Sequence, residues 1–198
     1  MLSLLALLVH VAIPVPHASD GEFIGRVVVE WLTEEDADRT MRLVEDFAFR
    51  DPDGRVWKVP AGTEVDGASI PETLYSIIGP PFVGDYRRAS VVHDHFCQER
   101  TEDWRAVHRM FYDAARAGGV PLPLAKAMYA AVRGWGPRWE ARVTRDGAAR
   151  IISIPRPTAE ISELQDLGAW IAEADPTLEE IDRHVTALLE GTEGDSAS

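Results

Sequence analysis

The sequence predicts an α+β fold: an N-terminal antiparallel β-meander packed with a three-helix unit, followed by a C-terminal acidic helical extension. Three observations carry this. Between residues 22 and 60, apolar side chains alternate along runs rich in β-branched and aromatic residues. From residue 71 the apolar spacing becomes three and four residues, the period of a helix. The charge is also uneven. Of a net charge of -13, residues 158–198 carry eleven acidic side chains against the single base Arg183.

The β region reads in order. "EFIGRVVVEWL" is the first strand signal, and "TMRLVEDFAFR" alternates through Met41, Leu43, Phe47 and Phe49. "DPDG" at 51–54 is a turn and "RVWKVP" its returning partner, giving a meander of three to four strands. Pro71 behind Ser69 predicts a short helix to about residue 78. Longer helices follow over about 86–98, 103–117 and 123–133, the second stopped by Gly118 and Gly119. Residues 144–157, with Gly147, Pro155 and Pro157, read as a linker. Beyond it, one amphipathic helix presents Ile161, Leu164, Leu167 and Ile171. A second, with Asp175 as cap and Pro176 at its first position, presents Leu178, Ile181, Val185, Leu188 and Leu189. The expected division is an apolar segment at 1–21, a core domain at 22–143, the linker, a helical extension at 158–190 and a disordered tail at 191–198. The extension is expected to dock on the core, a protein partner being the other reading.

The totals exclude some functions. Neither part of the chain carries the basic excess that neutralising phosphates requires, so nucleic acid is not an expected partner. The N-terminal "MLSLLALLVHVAIPVPHASD" has an apolar run shorter than the ~20 residues of a spanning helix. It suits a secretory signal ending near Ala18 and Ser19, although no Lys or Arg precedes it; a first strand packed on the core or a misassigned start are the alternatives. Exported or envelope-associated and cytoplasmic locations therefore both stay open. The single Cys97 rules out an internal disulfide framework.

Chemistry concentrates in "ASVVHDHFCQ", residues 89–98. On a helix, Ala89, Val92 and Phe96 make the apolar stripe, with Ser90, His93 and Cys97 on an adjoining line. Asp94 lies about 100° further round and borders His93, whereas His95 falls on the opposite side and is expected to be exposed. On the next helix, Trp104, His108, Phe111 and Ala115 share a face. The short connection predicts an antiparallel hairpin in which His93 and His108 can meet. Three readings follow. His93 is a general base that activates water, oriented by Asp94 or Asp66. Alternatively His93, Asp94 and His108, with Cys97 as a further donor, are ligands of a divalent metal, though the spacing matches no standard zinc motif. Or the histidines are satisfied core residues. No cofactor is required by the sequence. In "VPAGTEVDGASIP", Asp66 is either an Asx-turn acceptor or an active-site carboxylate, and Ser69 a cap; no G-x-S-x-G surrounds it. Arg87 and Arg88 near a helix start are solvated or meet an anionic substrate. Tyr129, Arg133, Arg138 and Trp139 are packing and capping candidates, with Tyr129 within reach of the site.

Taken in order, "VPAGTEVDGASIP", "IGPPFVGDYRRASVVHDHFC", "VHRMFYDAARAGGV" and "AKAMYAAVRGWGPRW" resemble the bacterial and phage family known as domain of unknown function 1353, over about residues 22–139. The "DGASIP" and "HD" elements carry the resemblance, which brings no established activity. Many members place an aspartate where this chain has His108, and an aromatic near Cys97; the chain departs from that pattern in having no aspartate at 108. In layout, His93-Asp94 followed by His108 is also similar to secreted phospholipases of the A-two type. There a helical His-Asp pair activates water and binds calcium, and a second helix supplies a supporting acid. This chain has neither their cysteine framework nor a glycine-rich calcium loop, and has histidine at 108.

The expectation is a hydrolase-like site of His93 and Asp94 supported by Asp66 and His108, in a pocket between the "DGAS" corner and the helix hairpin. It would act on a small-molecule or envelope substrate. The rival is a non-enzymatic, phage- or envelope-associated binding or accessory protein with structural histidines.

Overall fold

Short strands and a bundle of helices build the chain, seen in a computed structural model that describes residues 20–32, 40–66, 84–145, 147–155, 157–158 and 160–195. The expected N-terminal signal, Ser69 and the helix expected from Pro71 lie outside the described residues.

The strands β1 (Glu22–Ile24), β2 (Val29–Trp31), β3 (Met41–Leu43), β4 (Phe47–Arg50), β5 (Val56–Val59) and β6 (Glu64–Val65) form two antiparallel sheets, ordered β1-β4-β5 and β2-β3-β6. The fold class is α+β as the periodicity implies, but the single meander divides. The run 41–49 breaks at Val44–Asp46, where Val44 N–H donates to the Val28 carbonyl and Asp46 Oδ1 accepts from Ala61 N–H at 2.8 Å. Met41 and Leu43 thereby pack in one sheet and Phe47 and Phe49 in the other. The "DPDG" turn forms as expected. Asp51 Oδ1 accepts from the backbone of Asp53 and Arg55, and Gly54 takes φ +87°, a conformation that glycine adopts without steric cost.

Three helices follow: α1 (Arg87–Glu99), α2 (Trp104–Gly118) and α3 (Leu122–Trp135). Asp103 caps α2 by accepting from Arg105 N–H at 2.8 Å, and Gly119 ends it at φ +105°. Gly118 lets the end of α2 close on the start of α1, since a Cβ there would stand 2.3 Å from the Asp85 carbonyl oxygen. Helix α1 runs between α2 and the strands β5 and β6. It is buried along nine consecutive residues, Ala89 to Cys97.

The segment expected as a linker is instead largely a β-hairpin. β7 (Arg138–Val143) pairs with β8 (Ala149–Ile154) over six residues. Gly147 and the prolines suggested a linker, but Gly147 (φ +81°) serves a tight turn and "RIISI" supplies β-branched residues for the return strand. Trp139 Nε1 donates to the Glu102 carbonyl, and Arg100 Nη1 to Ser153 Oγ, tying the hairpin to the α1–α2 connection.

Helices α4 (Ile161–Ala174) and α5 (Leu178–Asp195) dock on α3 through Leu164, Leu167, Ile171, Ile181 and Val185. Asp175 does not cap α5; it closes α4 at φ +44°. Thr177 and Glu180 form the capping box of α5, as a T-x-x-E spacing allows. The helix continues to Asp195, into the stretch expected as a frayed end. No helix among the described residues is long and apolar enough to cross a membrane.

Phe49 is fully buried beneath Phe23 and opposite Trp57. Phe49→Ala is expected to cost ~3–5 kcal/mol in urea unfolding. Val143→Ala, at a position 77% exposed, is expected to stay within about 0.5 kcal/mol.

Candidate functional site

The antiparallel packing of α1 on α2 brings the two histidines together. His93 Nε2 lies 2.8 Å from His108 Nδ1, and both residues are 0% exposed. His108 Nε2 lies 3.1 Å from the Pro137 carbonyl oxygen. A carbonyl can only accept, so His108 donates from Nε2 and accepts at Nδ1, and His93 in turn donates from Nε2. Cys97, one turn along α1, places Sγ 3.6 Å from His93 Nε2 and 3.9 Å from Nδ1. The Phe111 ring packs on His93 with centroids 4.6 Å apart, and Trp104 meets His108 edge-on.

This enclosure sets the electrostatics. Burial pushes the His93 imidazole down to about 3. Burial also holds His108 well below its ordinary value, helped by His93, Arg133 and Arg138 and opposed by the hydrogen bond to Pro137. Both rings are neutral over the physiological range. Neutral imidazole suits metal ligation, and His93, Cys97 and His108 offer donor atoms that all lie within 4.8 Å of one another.

The two acids are organised differently. Asp94 Oδ2 accepts from the Asp66 backbone N–H at 2.9 Å and from Gln98 Nε2 at 3.4 Å. Asp94 thus fastens the end of β6 to α1, while His108 and Pro137 orient His93. His95, expected to be exposed, is only 9% exposed and packs edge-on to Phe96, because α1 is enclosed by α2 on one side and by strands on another. Tyr129 does not turn to the histidines; its hydroxyl donates to Asp182 Oδ1 on α5 at 2.8 Å. Arg88 lies over the Phe23 ring, and with Arg26 and Arg87 it lines a cavity of about 460 Å³. The expected pocket at the "DGAS" corner falls on Gly67–Ser69, outside the described residues.

The sequence reading missed the Gly136-Pro137 corner. A Cβ on Gly136 would stand 3.1 Å from His108 Cε1 and Nε2, so the glycine makes room for the ring that Pro137 anchors. The available signal was a Gly-Pro pair directly after a helix, which marks a turn but not its contact.

Strand β3 through most of α3 thus form one unit around the paired histidines. Residues 41–132 match the DUF1353 family, described as a protein of unknown function. The DUF1353 match lies within the span suggested by the motifs and contains His93, Asp94, Asp66, His108 and Cys97, while Gly136 and Pro137 lie just beyond it. Two uncharacterized proteins of Sinorhizobium fredii (strain NBRC 101917 / NGR234) are similar over 97 residues, 49% of this chain. y4jT is 56% identical, with 29% of its own length covered, and y4iH is 41% identical, with 41% covered. The chain therefore spans less than half the length of these curated relatives. No solved structure matches it significantly.

The buried pair gives the DUF1353 region an acid sensitivity. Unfolded imidazole titrates near 6.5 while folded His93 is held near 3, so the unfolded chain binds more protons between those values. Stability is full above about pH 6.5 and is lost as pH falls toward 3, by up to ~1.4 kcal/mol per pH unit for each such imidazole. Asp113, pushed up to about 6 by burial from 3.8, works in the opposite sense and offsets part of the loss between those two values. Urea midpoints in chelator, with the rings metal-free, should fall from pH 7 to pH 5, and less steeply in His93→Gln. A flat profile would contradict neutral, enclosed histidines.

Proposed function

We propose that the α1–α2 interface is a hydrolase-type centre in which His93 acts on water and His108 holds it in place. The observation that carries this reading is the directed chain from His93 through His108 to the Pro137 carbonyl. It fixes the tautomer and orientation of a reactive imidazole without a carboxylate, the job of an orienting third group in water- and thiol-activating sites. Asp94 and the Asp66 backbone hold the adjoining corner. The substrate proposed is an ester, amide or phosphoester of a small molecule or of the cell envelope.

A second reading is favoured by one specific observation, the 0% exposure of both rings. In that reading the protein is a non-enzymatic, phage- or envelope-associated accessory protein, and the histidines are a polar pair satisfied inside its core.

Turnover of chromogenic ester, amide and phosphoester substrates separates the two. On the hydrolase reading the full chain turns over at least one class. His93→Gln, with circular dichroism showing a retained fold, then loses about 100-fold or more, the scale of a general acid–base or water-activating group. No turnover of any class by the wild-type chain favours the accessory protein, and an undiminished rate in folded His93→Gln removes His93 as the residue that acts on water.

A further inference from the structure

We propose that His93, Cys97 and His108 form a zinc-type metal site. The proposal shares its location with the hydrolase reading but goes beyond it, because metal binding is measured without turnover.

Four features of the geometry support it. First, the donor set is right in kind: two imidazoles and a thiol are the ligands that structural and catalytic zinc centres use. Second, the spacing is close to that of a coordination tetrahedron. Zinc bonds of about 2.0–2.1 Å to nitrogen and 2.3 Å to sulfur imply edges of roughly 3.3 Å between nitrogens and 3.5 Å between nitrogen and sulfur. Here Cys97 Sγ lies 3.6 Å from His93 Nε2, and His93 Nε2 lies 2.8 Å from His108 Nδ1. The nitrogen–sulfur separation has the length of a coordination edge, but Sγ also lies 3.9 Å from His93 Nδ1, beside the ring. Uptake therefore requires the His93 ring to turn its Nε2 lone pair toward the ion while the imidazoles part by roughly half an ångström.

Third, the outer contacts are those of a metal ligand. A metal-bound histidine almost always donates its other ring N–H to a carbonyl or carboxylate, which fixes its orientation. His108 does this from Nε2 to Pro137 O, aiming Nδ1 at His93, with Cys97 Sγ within 4.8 Å. Fourth, the ligands sit on rigid backbone. His93 and Cys97 are four residues apart on α1, and His108 faces them from α2, so packing the two helices assembles the site.

The proton balance follows from the tautomers. His108 keeps its Nε2 proton on Pro137 and coordinates through Nδ1. His93 moves its proton from Nε2 to Nδ1 and coordinates through Nε2. Cys97 gives up its thiol proton to solvent and binds as thiolate, so each divalent ion taken up releases one proton. Three protein ligands leave a fourth position for water, whose acidity the ion raises; this is how the site would activate water. The side chains are almost wholly enclosed, with Cys97 only 4% exposed, so the ion is taken up as the helices pack and its binding adds to fold stability.

The test is cobalt titration of the full-length, chelator-treated chain, with elemental analysis after reconstitution in zinc. Expected are about one ion per chain, tetrahedral Co(II) bands in the visible and a thiolate-to-cobalt charge-transfer band. Cys97→Ser should abolish the charge-transfer band. His108→Gln should weaken binding by at least about 10-fold, the scale on which even outer contacts alter metal affinity. Zinc should also raise the thermal unfolding midpoint of the wild type, a readout that survives if a variant fails to fold. Clearly substoichiometric metal, a charge-transfer band that persists in Cys97→Ser, or a midpoint indifferent to zinc would each overturn the proposal. The two readings fail separately: metal bound with no turnover removes the hydrolase and leaves the metal site, while turnover without stoichiometric metal removes the metal site and leaves the hydrolase.

Discussion

Helix α1 imposes a constraint that reaches every neighbouring element: nine consecutive residues are buried, and several of them are polar. A buried donor or acceptor left unpaired costs about 1–3 kcal/mol, so Ser90, His93 and Asp94 each recruit a partner. Ser90 Oγ donates to the Tyr86 carbonyl within the helix itself. Asp94 reaches the backbone of Asp66 and so fixes where β6 ends. His93 reaches His108 and sets the register of α2, and His108 reaches Pro137 and sets the turn between α3 and β7. The polar requirements of one helix thereby position both adjacent helices, one strand and the corner that leads into the hairpin.

The helical part of this arrangement was legible because its signals are local. Spacings of three and four residues, Asp103 before an apolar run and paired glycines after one place α2 almost to the residue. The β region was less legible, because alternation reports which face a side chain takes and not which strand it pairs with. Met41 through Phe49 alternates convincingly, yet the chain breaks at Val44–Asp46 and its halves join different sheets. The hairpin at 138–154 was hidden for a related reason. Its Gly and Pro residues are those of a linker, and exposed residues such as Val143 and Ile151 give no clean alternation.

The site divides along the same line. The meeting of His93 with His108 follows from two helical faces and a short connection, both of which are written in side chains. Its anchor does not, because Pro137 contributes a backbone carbonyl and Gly136 contributes the absence of a Cβ. His95 was misplaced because a helical wheel assumes one buried face, and α1 is enclosed on more than one side. Adjacency in sequence also suggested a partnership between His93 and Asp94. Adjacent helical side chains diverge by about 100°, and here the carboxylate meets a backbone N–H from the sheet side while the imidazole meets the opposing helix.

That divergence bears on the chemistry open to the centre. A carboxylate behind a histidine both orients the ring and compensates the positive charge it gains on accepting a proton. In the chain from His93 to His108 to Pro137, orientation comes from neutral groups. Arg133 and Arg138 act on His108 so as to oppose its protonation. The enclosure therefore favours roles in which the rings stay neutral. Coordination is such a role, since an imidazole can donate its lone pair to a metal and gain no proton, while the Cys97 thiolate supplies the negative charge that the ion requires. On this argument His93 would serve water activation at the α1–α2 interface better as a ligand of an ion held between the helices than as a base that gains the proton.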